Sequence, residues 1–340
     1  MDYFGIDIGH GSTRIVQLGR PDKKNIELVA IGEAKTPASN WHAAGQKGMD
    51  SMSSAIKLLV SDMKLKTKQC VVSLPEEEVI SRLIKLPPLK DNEIQDALLF
   101  EAETFVPYAL EQASLNYEII NRDDQGRPLV FVVAVRHEVV DVYVKLFKSA
   151  GLNPIAFETT ALGMRNLFSS IVDLTKPVLV LNLGEYYTDL IILKDSSVYT
   201  TRTLSVGGEA FTRAISLNLG LDAPSAEEYK KAYGMRSDQL EGKIKDSIAP
   251  VFNSISEEVR KAIVSFSQEF GMNIESVFLS GGGANMPGFA ESLTKMLGIE
   301  VQVAQPFAKI DSSKLQLPID LRAVGCQYAL AAGLALRDLI

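Results

Sequence analysis

Residues 1–16 read MDYFGIDIGHGSTRIV, and this stretch decides the fold. Apolar residues alternate as far as Ile8, and the apolar pattern resumes after the polar residues 9–14. Alternation of this kind indicates strands, and a glycine-containing break between two strands indicates a turn. Another apolar stretch lies within residues 25–31. The amino terminus therefore predicts a hairpin with a Gly, Ser and Thr tip, followed by a third strand.

The tip of this hairpin has the composition of an anion-binding turn. Glycines let the backbone approach a bound group, and successive backbone N–H groups form an anion-binding nest. Asp7 stands just before the tip and repels a bare phosphate, so it suits a phosphate only together with Mg²⁺, while Arg14 supplies positive charge. Taken alone, the stretch is more simply interpreted as an ordinary hairpin with a glycine turn. Its spacing matches neither a Walker A loop nor a dinucleotide-binding Gly-x-Gly-x-x-Gly turn.

The same pattern returns about half a chain later. Residues 178–193 read VLVLNLGEYYTDLIIL, with Asn182 where Asp7 stood and Gly184 where Gly9 stood. A third glycine cluster, FLSGGGANMPGF at 278–289, follows a short apolar strand and precedes a predicted helix. Bare backbone at such a strand-to-helix turn can lie against a phosphate or a flat ring. Two like hairpins predict a duplicated domain with a cleft between the halves.

Together these three stretches resemble the actin-like ATPase superfamily, which includes actin, sugar kinases, heat-shock chaperone ATPases, FtsA and PilM. Residues 7–14 and 182–188 resemble its two phosphate loops, and residues 280–284 resemble its adenosine motif. The resemblance implies an α/β fold of two duplicated RNase H-like domains around a nucleotide cleft. It also implies ATP and Mg²⁺ as cofactors.

The resemblance assigns roles to individual residues of the cleft. Those expected to contact the nucleotide are Gly9, His10, Gly11, Ser12, Thr13, Arg14, Asn182, Gly184, Glu185, Tyr186, Tyr187, Thr188, Gly207, Gly208, Glu227, Lys230, Lys231, Gly281, Gly282, Gly283 and Asn285. Asp7 is expected to be catalytic and to hold Mg²⁺ through water, and Glu158 to act as a general base near the start of a linking helix. Two simpler interpretations stay open: a helix-start carboxylate for Glu158, and surface charge pairs for residues 227–231.

Composition limits the classes of function. A length of 340 residues suits about two domains, and a net charge of −7 without a basic block argues against a nucleic-acid partner. Cys70 and Cys326, both in apolar surroundings, are expected to be buried free thiols in a reducing compartment, and three scattered histidines argue against a zinc enzyme. Because neither a signal peptide nor an apolar run of about 18 residues is visible, we expect a cytoplasmic protein.

Periodicity outlines the remaining elements. Helices are predicted over 49–63, 91–107 with Asp91 as its cap, 138–150, 156–171, 209–219, 225–234, 248–270, 288–297 and 321–339; further strands over 69–74, 79–86, 115–121, 129–135, 198–204 and 301–303. The expected division is a first domain over 1–87 and 156–172, an inserted α+β subdomain over 88–155, a second domain over 173–222 and 273–325, a helical subdomain over 223–272 lining the nucleotide, and a crossing carboxyl-terminal helix over 326–340.

Within the superfamily, the resemblance narrows to the PilM family of type IV pilus assembly proteins. The segments that carry it are 86–89 (LPPL), 100–107 (FEAETFVP), 134–136 (AVR), 150–154 (AGLNP) and 158–165. Taken alone, 100–107 is simply an amphipathic helix before a proline. The resemblance implies an ATP-binding protein at the inner-membrane platform of the pilus machine. It also implies that the protein binds the cytoplasmic amino-terminal tail of PilN and contacts other platform proteins. Self-association is left open.

Departures from the family pattern bear on turnover. Asn182 stands where many relatives have an acid, His10 where Ser is common, and Arg14 where Lys is common. We therefore expect at most a slow Mg²⁺-dependent ATPase whose output is a change of conformation. An FtsA-like division scaffold and, further behind, a sugar-kinase-like phosphotransferase are the alternatives. FtsA ends in a basic amphipathic tail that this sequence lacks, so no direct membrane anchor is expected.

Overall fold

The computed structural model describes residues 3–22, 25–38, 40–316 and 319–339. Its strands are β1 (Tyr3–Ile8), β2 (Ser12–Gly19), β3 (Glu27–Lys35), β4 (Gln69–Leu74), β5 (Val79–Lys85), β6 (Ala113–Arg122), β7 (Pro128–Arg136), β8 (Asn153–Thr159), β9 (Val178–Leu183), β10 (Thr188–Lys194), β11 (Ser197–Leu204), β12 (Ser276–Ser280) and β13 (Glu300–Val303). Its α-helices are α1 (Gly45–Asp62), α2 (Asp91–Glu103), α3 (His137–Ser149), α4 (Thr160–Ile171), α5 (Gly208–Leu219), α6 (Ala223–Tyr233), α7 (Lys243–Phe270), α8 (Phe289–Leu297), α9 (Leu321–Val324) and α10 (Ala329–Leu336). Met1 and Ile340, which bound the expected first domain and the expected last helix, lie outside the described residues.

The predicted duplication is visible in two five-stranded sheets with one topology. The first sheet has the order β3-β2-β1-β4-β8, and the second has the order β11-β10-β9-β12-β13. In each sheet the first three strands are antiparallel and the last two run parallel to the central one. This confirms the expected actin-like architecture, and it brings the tips of the β1–β2 and β9–β10 hairpins to corresponding ends of the two sheets.

A third, antiparallel sheet of order β5-β7-β6 forms the inserted subdomain together with α2, whereas the buried residues of α3 pack into the core of the first domain. The insertion expected over 88–155 is displaced, because β5 pairs with β7 and therefore belongs to it, whereas β8 pairs with β4 of the first sheet. Asp91 is not the helix cap that the sequence suggested. It is the first residue of α2, where its carboxylate pairs with Arg122, and the side chain of Glu93 accepts the Lys90 N–H instead.

The two domains meet where α4 crosses α10. Every residue of α10 is buried, and a Cβ atom at Gly333 would overlap the carbonyl oxygen of Gly163 on α4. Gly5 in β1 faces the carbonyl of Ala331 just as closely. Glycine at these positions lets a helix lie directly against another backbone, which fixes the distance between the two sheets.

Two elements differ from the sequence prediction. The linking helix expected over 156–171 begins only at Thr160, because residues up to Thr159 form β8 against β4. The helix expected over 321–339 is divided into α9, a 3₁₀ turn at 325–328 and α10. Among the described residues, the helices are all too short or too polar to cross a membrane.

Candidate functional site

A cavity of about 1150 Å³ lies between the two like domains. Of the residues that the sequence assigned to the nucleotide and metal, those lining it are Asp7, Gly9, His10, Gly11, Ser12, Arg14, Asn182, Gly184, Glu185, Tyr187, Gly208, Glu227, Lys230, Lys231, Gly281, Gly282, Gly283 and Asn285. Residues separated by about 270 positions therefore share one cleft. Its lining combines both hairpin tips, the triple-glycine turn and α6.

The first hairpin tip is a tight turn closed by a bond from the Gly9 N–H to the Ser12 carbonyl of 3.1 Å. Asp7, near the end of β1, is partly buried and accepts a 3.0 Å hydrogen bond from the Ser73 hydroxyl. Burial raises the pKa of Asp7, while the charge of Arg14 and the Ser73 hydrogen bond oppose that rise. A partly buried carboxylate that lines the cleft is suited to a cation there.

Arg14 lies opposite Asp7 across the hairpin. Its Nη2 donates to Glu33 at 2.9 Å, and its guanidinium lies 5.8 Å from the centre of the Tyr328 ring. Within the described part of the chain its Nε is buried and has no hydrogen-bond partner. Arg14 is therefore anchored on one side and keeps an open donor on the other.

The second hairpin tip repeats the first, since the Gly184 N–H donates to the Tyr187 carbonyl at 2.9 Å. Here the acid is on the opposite strand: Asp189 pairs with Asn182 in register, as Arg14 pairs with Asp7. Asp189 Oδ2 accepts from Asn182 at 3.1 Å, and Oδ1 accepts from Thr203 at 2.8 Å. Burial raises the pKa of Asp189, and these two bonds oppose the rise. This tip therefore does carry an acid, on the strand beside Asn182.

The two tips touch each other at one end of the cleft. The His10 ring lies 5.4 Å from the Tyr186 ring and 5.3 Å from the Tyr187 ring, centre to centre. Its Nε2 is 3.4 Å from Glu77 Oε1, and burial lowers the pKa of His10, which keeps the ring neutral at pH 7. A side chain at Gly11 would collide with the Glu185 carboxylate. The two tips and the Glu185 carboxylate therefore lie close together at this end of the cleft.

The opposite wall is a polar network on α5 and α6. Lys230 Nζ lies 2.6 Å from Glu227 Oε2 and donates to the Gly208 carbonyl at 2.9 Å. Thr212 also donates to Glu227. Partial burial pushes the pKa of Glu227 up, but the bonds from Lys230 and Thr212 outweigh it, so the pKa is lowered and the group is ionised. These bonds hold Glu227 and Lys230 in place before any ligand binds.

The triple-glycine turn completes the wall. Gly281 has a φ of +81°, and a Cβ there would strike the Leu183 carbonyl. A Cβ at Gly282, in contrast, would meet nothing within 4 Å. Asn285 is held by Cys326, whose thiol lies 3.1 Å from Asn285 Oδ1. The result is a stretch of backbone without side chains that faces the cavity, against which a flat aromatic ring can lie.

A family model described as type IV pilus assembly protein PilM matches residues 5–339. The chain belongs to the PilM family. A solved PilM–PilN type IV pilus biogenesis complex is similar over 100% of this chain and 99% of that one, with a TM-score of 0.86 and 25% identity. This confirms the family that the sequence suggested and the actin-like fold.

More distant structures share the fold. The ethanolamine utilization protein EutJ from Carboxydothermus hydrogenoformans has a TM-score of 0.55 and 15% identity, covering 98% of this chain and 88% of that one. MreB5 of Spiroplasma citri, solved bound to AMPPNP, has a TM-score of 0.51 and 13% identity, covering 97% and 94%. At identities this low, the comparisons show only that this PilM-family chain has the same architecture as these two proteins.

Glu158 is not where a general base is needed. It is the penultimate residue of β8, and its Oε1 lies 2.9 Å from Arg337 Nε, while Asn166 donates to Oε2 at 2.9 Å. It is absent from the residues that line the cleft. Its carboxylate ties β8 to the end of the chain, because Arg337 follows directly on α10. The role suggested for Glu158 therefore has no geometric support.

Four other expected contacts also lie off the cavity lining. The hydroxyls of Thr13 and Thr188 hydrogen-bond to Thr36 and to the Val206 carbonyl, so they brace the hairpins from behind. Gly207 packs against the Glu185 backbone. Tyr186, as described above, faces His10. These residues shape the tips rather than line the space between them.

The sequence did not single out several polar residues that line the cleft. They are Glu33, Lys35, Ser73, Glu76, Glu77, Asp189, Glu209, Thr212, Arg213, Ser216 and Gln327. Most of them follow a strand or lie on a helix, with no glycine turn to mark them. For Ser73, Glu76 and Glu77, the signal available was the buried strand β4, which lies beside β1 in the sheet: Ser73 is near its end, and the two glutamates follow it closely.

Glu76 makes stability depend on pH. Burial raises its pKa from 4.5 to about 8. Between those values the folded protein holds a proton that the unfolded chain releases, so the free energy of unfolding falls as pH rises from about 5 to about 8, by up to about 1.4 kcal/mol per pH unit. We expect Glu76→Gln to flatten this dependence in urea unfolding. Glu78→Gln, in the same turn but exposed, is the control; parallel profiles for wild type and Glu76→Gln would contradict the assignment.

Proposed function

We propose that this PilM-family protein is an ATP-binding assembly protein of the type IV pilus inner-membrane platform, working on the cytoplasmic side. ATP and Mg²⁺ bind in the cleft, and the resulting conformation grips the amino-terminal tail of a PilN-like partner. The observation that carries the nucleotide part is the meeting of both hairpin tips and the triple-glycine turn around one cavity. AMPPNP bound to MreB5, which has the same fold, supports it.

The residues present fit Mg-ATP. The turns at Gly9 and Gly184 offer backbone N–H groups to phosphates, and the open Nε of Arg14 adds a buried donor. Among the described residues, no cluster of ligand side chains encloses a metal ion, which suits Mg²⁺ bound mainly to water and phosphate. Asp7 would hold its water from one side and Asp189 from the other. Bound Mg²⁺ supplies positive charge that offsets the phosphates beside these acids.

We propose that turnover is slow at most. The suggested base, Glu158, is engaged with Arg337 and Asn166 away from the cavity. Asn182, in place of an acid, removes one negative charge from the position beside the metal, which weakens the case for metal-assisted hydrolysis. Binding without rapid hydrolysis fits a protein whose output is its shape. The family match favours this pilus role over a division scaffold or a phosphotransferase.

A second cavity, of about 270 Å³, suits the partner's tail. It lies between α3 and the first hairpin tip, and its lining includes Trp41, Arg136, Val139 and Tyr143. It shares the wall formed by Gly9, His10 and Glu77 with the nucleotide cleft, so the two sites are contiguous. The similar solved structure is a PilM–PilN complex, which supports a PilN-like partner for this chain, and the cavity is our proposal for where its tail binds.

The peptide test uses a substitution on the cavity wall. A synthetic amino-terminal segment of the PilN-like protein from the same genome is titrated by fluorescence anisotropy against wild type and Val139→Glu. We expect at least about tenfold weaker binding to Val139→Glu, because burying an unpaired carboxylate costs more than about 1.4 kcal/mol. Lys145→Glu, on an exposed position of α3, is the control and should bind normally. If the peptide binds Val139→Glu as tightly as wild type, it does not bind in this cavity.

A further inference from the structure

Glu76 lies at the junction of the first domain, the insert and the second domain. It begins the turn at 76–78 between β4 of the first domain and β5 of the insert. Its side chain is buried, with 5% of the residue exposed, yet the residue also lines the nucleotide cavity. A buried carboxyl group in that place needs partners, and it finds them in separate parts of the fold.

The partners of Glu76 come from two of these parts directly. Oε2 accepts the Ala161 N–H at 3.2 Å, in the first turn of α4. The Ser81 hydroxyl on β5 donates to Oε1 at 3.5 Å, which ties the carboxyl group to the insert. The same Ser81 hydroxyl shares a short hydrogen bond with the hydroxyl of Thr201 on β11 of the second domain.

β11 connects the Ser81–Thr201 hydrogen bond to a residue that lines the nucleotide cleft. Thr203 lies two residues beyond Thr201 on β11, so both point to the same face of the strand. Thr203 donates to Asp189, the buried acid of the second hairpin. Asp189 and Glu76 thus line the cleft from opposite domains, and hydroxyl groups of β5 and β11 connect them behind it.

The insert touches the second domain at other points as well. Asn121 of β6 donates to the Tyr199 hydroxyl at 3.4 Å, and Leu83 and Ile120 pack against both large hydrophobic cores. The insert is therefore held by both domains, although it is covalently part of only the first. Relative motion of the two domains must change at least one of these contacts.

We infer that Glu76, Ser81 and Thr201 couple the nucleotide cleft to the inserted subdomain, so that closure on Mg-ATP changes how firmly the insert is held. The inference rests on the proposed function only in requiring Mg-ATP in the cleft. Hydrogen bonds weaken steeply beyond about 3.5 Å, so a domain shift on the order of 1 Å makes or breaks the Ser81–Thr201 bond. Glu76 is a positioning residue: it holds Ser81 in place and contacts no reacting atom in this account.

The test measures amide hydrogen exchange in the insert with and without Mg-ATP. In wild type we expect Mg-ATP to slow exchange in β5 and β7 by about fivefold or more, the lower end of typical coupling between sites. In the double variant Ser81→Ala, Thr201→Val we expect that change to disappear while calorimetric ATP affinity stays within about twofold, since neither residue lines the cavity. Thr200→Val, on the opposite face of β11, is the matched control and should behave as wild type.

The outcomes separate coupling from nucleotide binding. Binding of ATP without any exchange change in wild-type β5 and β7 would overturn the coupling and leave the nucleotide site standing. An exchange change that survives in the double variant, or that Thr200→Val also abolishes, would overturn the role of the two hydroxyls. Absence of ATP binding to wild type would overturn both the proposed function and the coupling.

Discussion

Replacing Gly333 by alanine is expected to destabilise the protein by about 3 kcal/mol or more, at the upper end of the usual cost of overpacking. The added Cβ would overlap the carbonyl oxygen of Gly163, which belongs to the backbone of α4 and cannot rotate away. The helices would have to separate, and both five-stranded sheets pack against them. Urea unfolding monitored by circular dichroism measures the change directly.

Gly282→Ala is the matched control for this prediction. It adds the same methyl group at another glycine, but there the new Cβ has no neighbour within 4 Å, so the free energy of unfolding should change by less than about 0.5 kcal/mol. A loss below about 1 kcal/mol for Gly333→Ala would mean that α4 and α10 adjust easily. The close crossing would then not fix the distance between the domains.

Replacing Asp7 by asparagine is expected to remove stabilisation by Mg-ATP and to leave the fold intact. Asparagine retains an oxygen that accepts from Ser73, and it removes a partly buried carboxyl group whose pKa desolvation has raised, so the unliganded protein should lose no stability. A ligand at a hundredfold excess over its dissociation constant stabilises the folded state by about 2.7 kcal/mol. We expect that gain in wild type and almost none in Asp7→Asn when thermal unfolding is recorded with and without Mg-ATP.

Asp50→Asn, on an exposed position of α1, is the control and should respond to Mg-ATP as wild type does. Adenosine alone, without phosphates, tests the other wall of the cleft and should bind both proteins equally weakly. A full Mg-ATP response in Asp7→Asn would show that Asp7 does not act on the metal. The metal-bound water would then have to be held by Asp189 alone.

The fold was largely predictable because its decisive signals are local. In each hairpin, apolar residues form a strand pattern on both sides of a glycine turn. The repeat of that pattern at 178–193 predicted the duplication. β8 was missed because residues 153–159, including Pro154, carry no alternation and run straight into the helical pattern of α4. The last helix breaks because the Cys326 carbonyl accepts the Gly281 N–H, a contact between segments far apart in sequence.

The candidate site was predictable where glycine marks it and hidden elsewhere. The tips and the triple-glycine turn were found from their composition, and they do line one cavity. Asp189 and Glu76 were not found, because a carboxylate in a strand or after one looks like any surface acid until the sheets are assembled. Glu158 was given a role from resemblance, and only the fold shows that its partner is Arg337.

The most direct test of this account is calorimetric titration of the wild-type protein with ATP in the presence of Mg²⁺. The account predicts saturable binding of one ATP per chain, weakened when Mg²⁺ is removed, because Asp7 and Asp189 then face uncompensated phosphates. Absence of saturable binding would contradict it, leaving a PilM-family scaffold whose cleft takes no nucleotide.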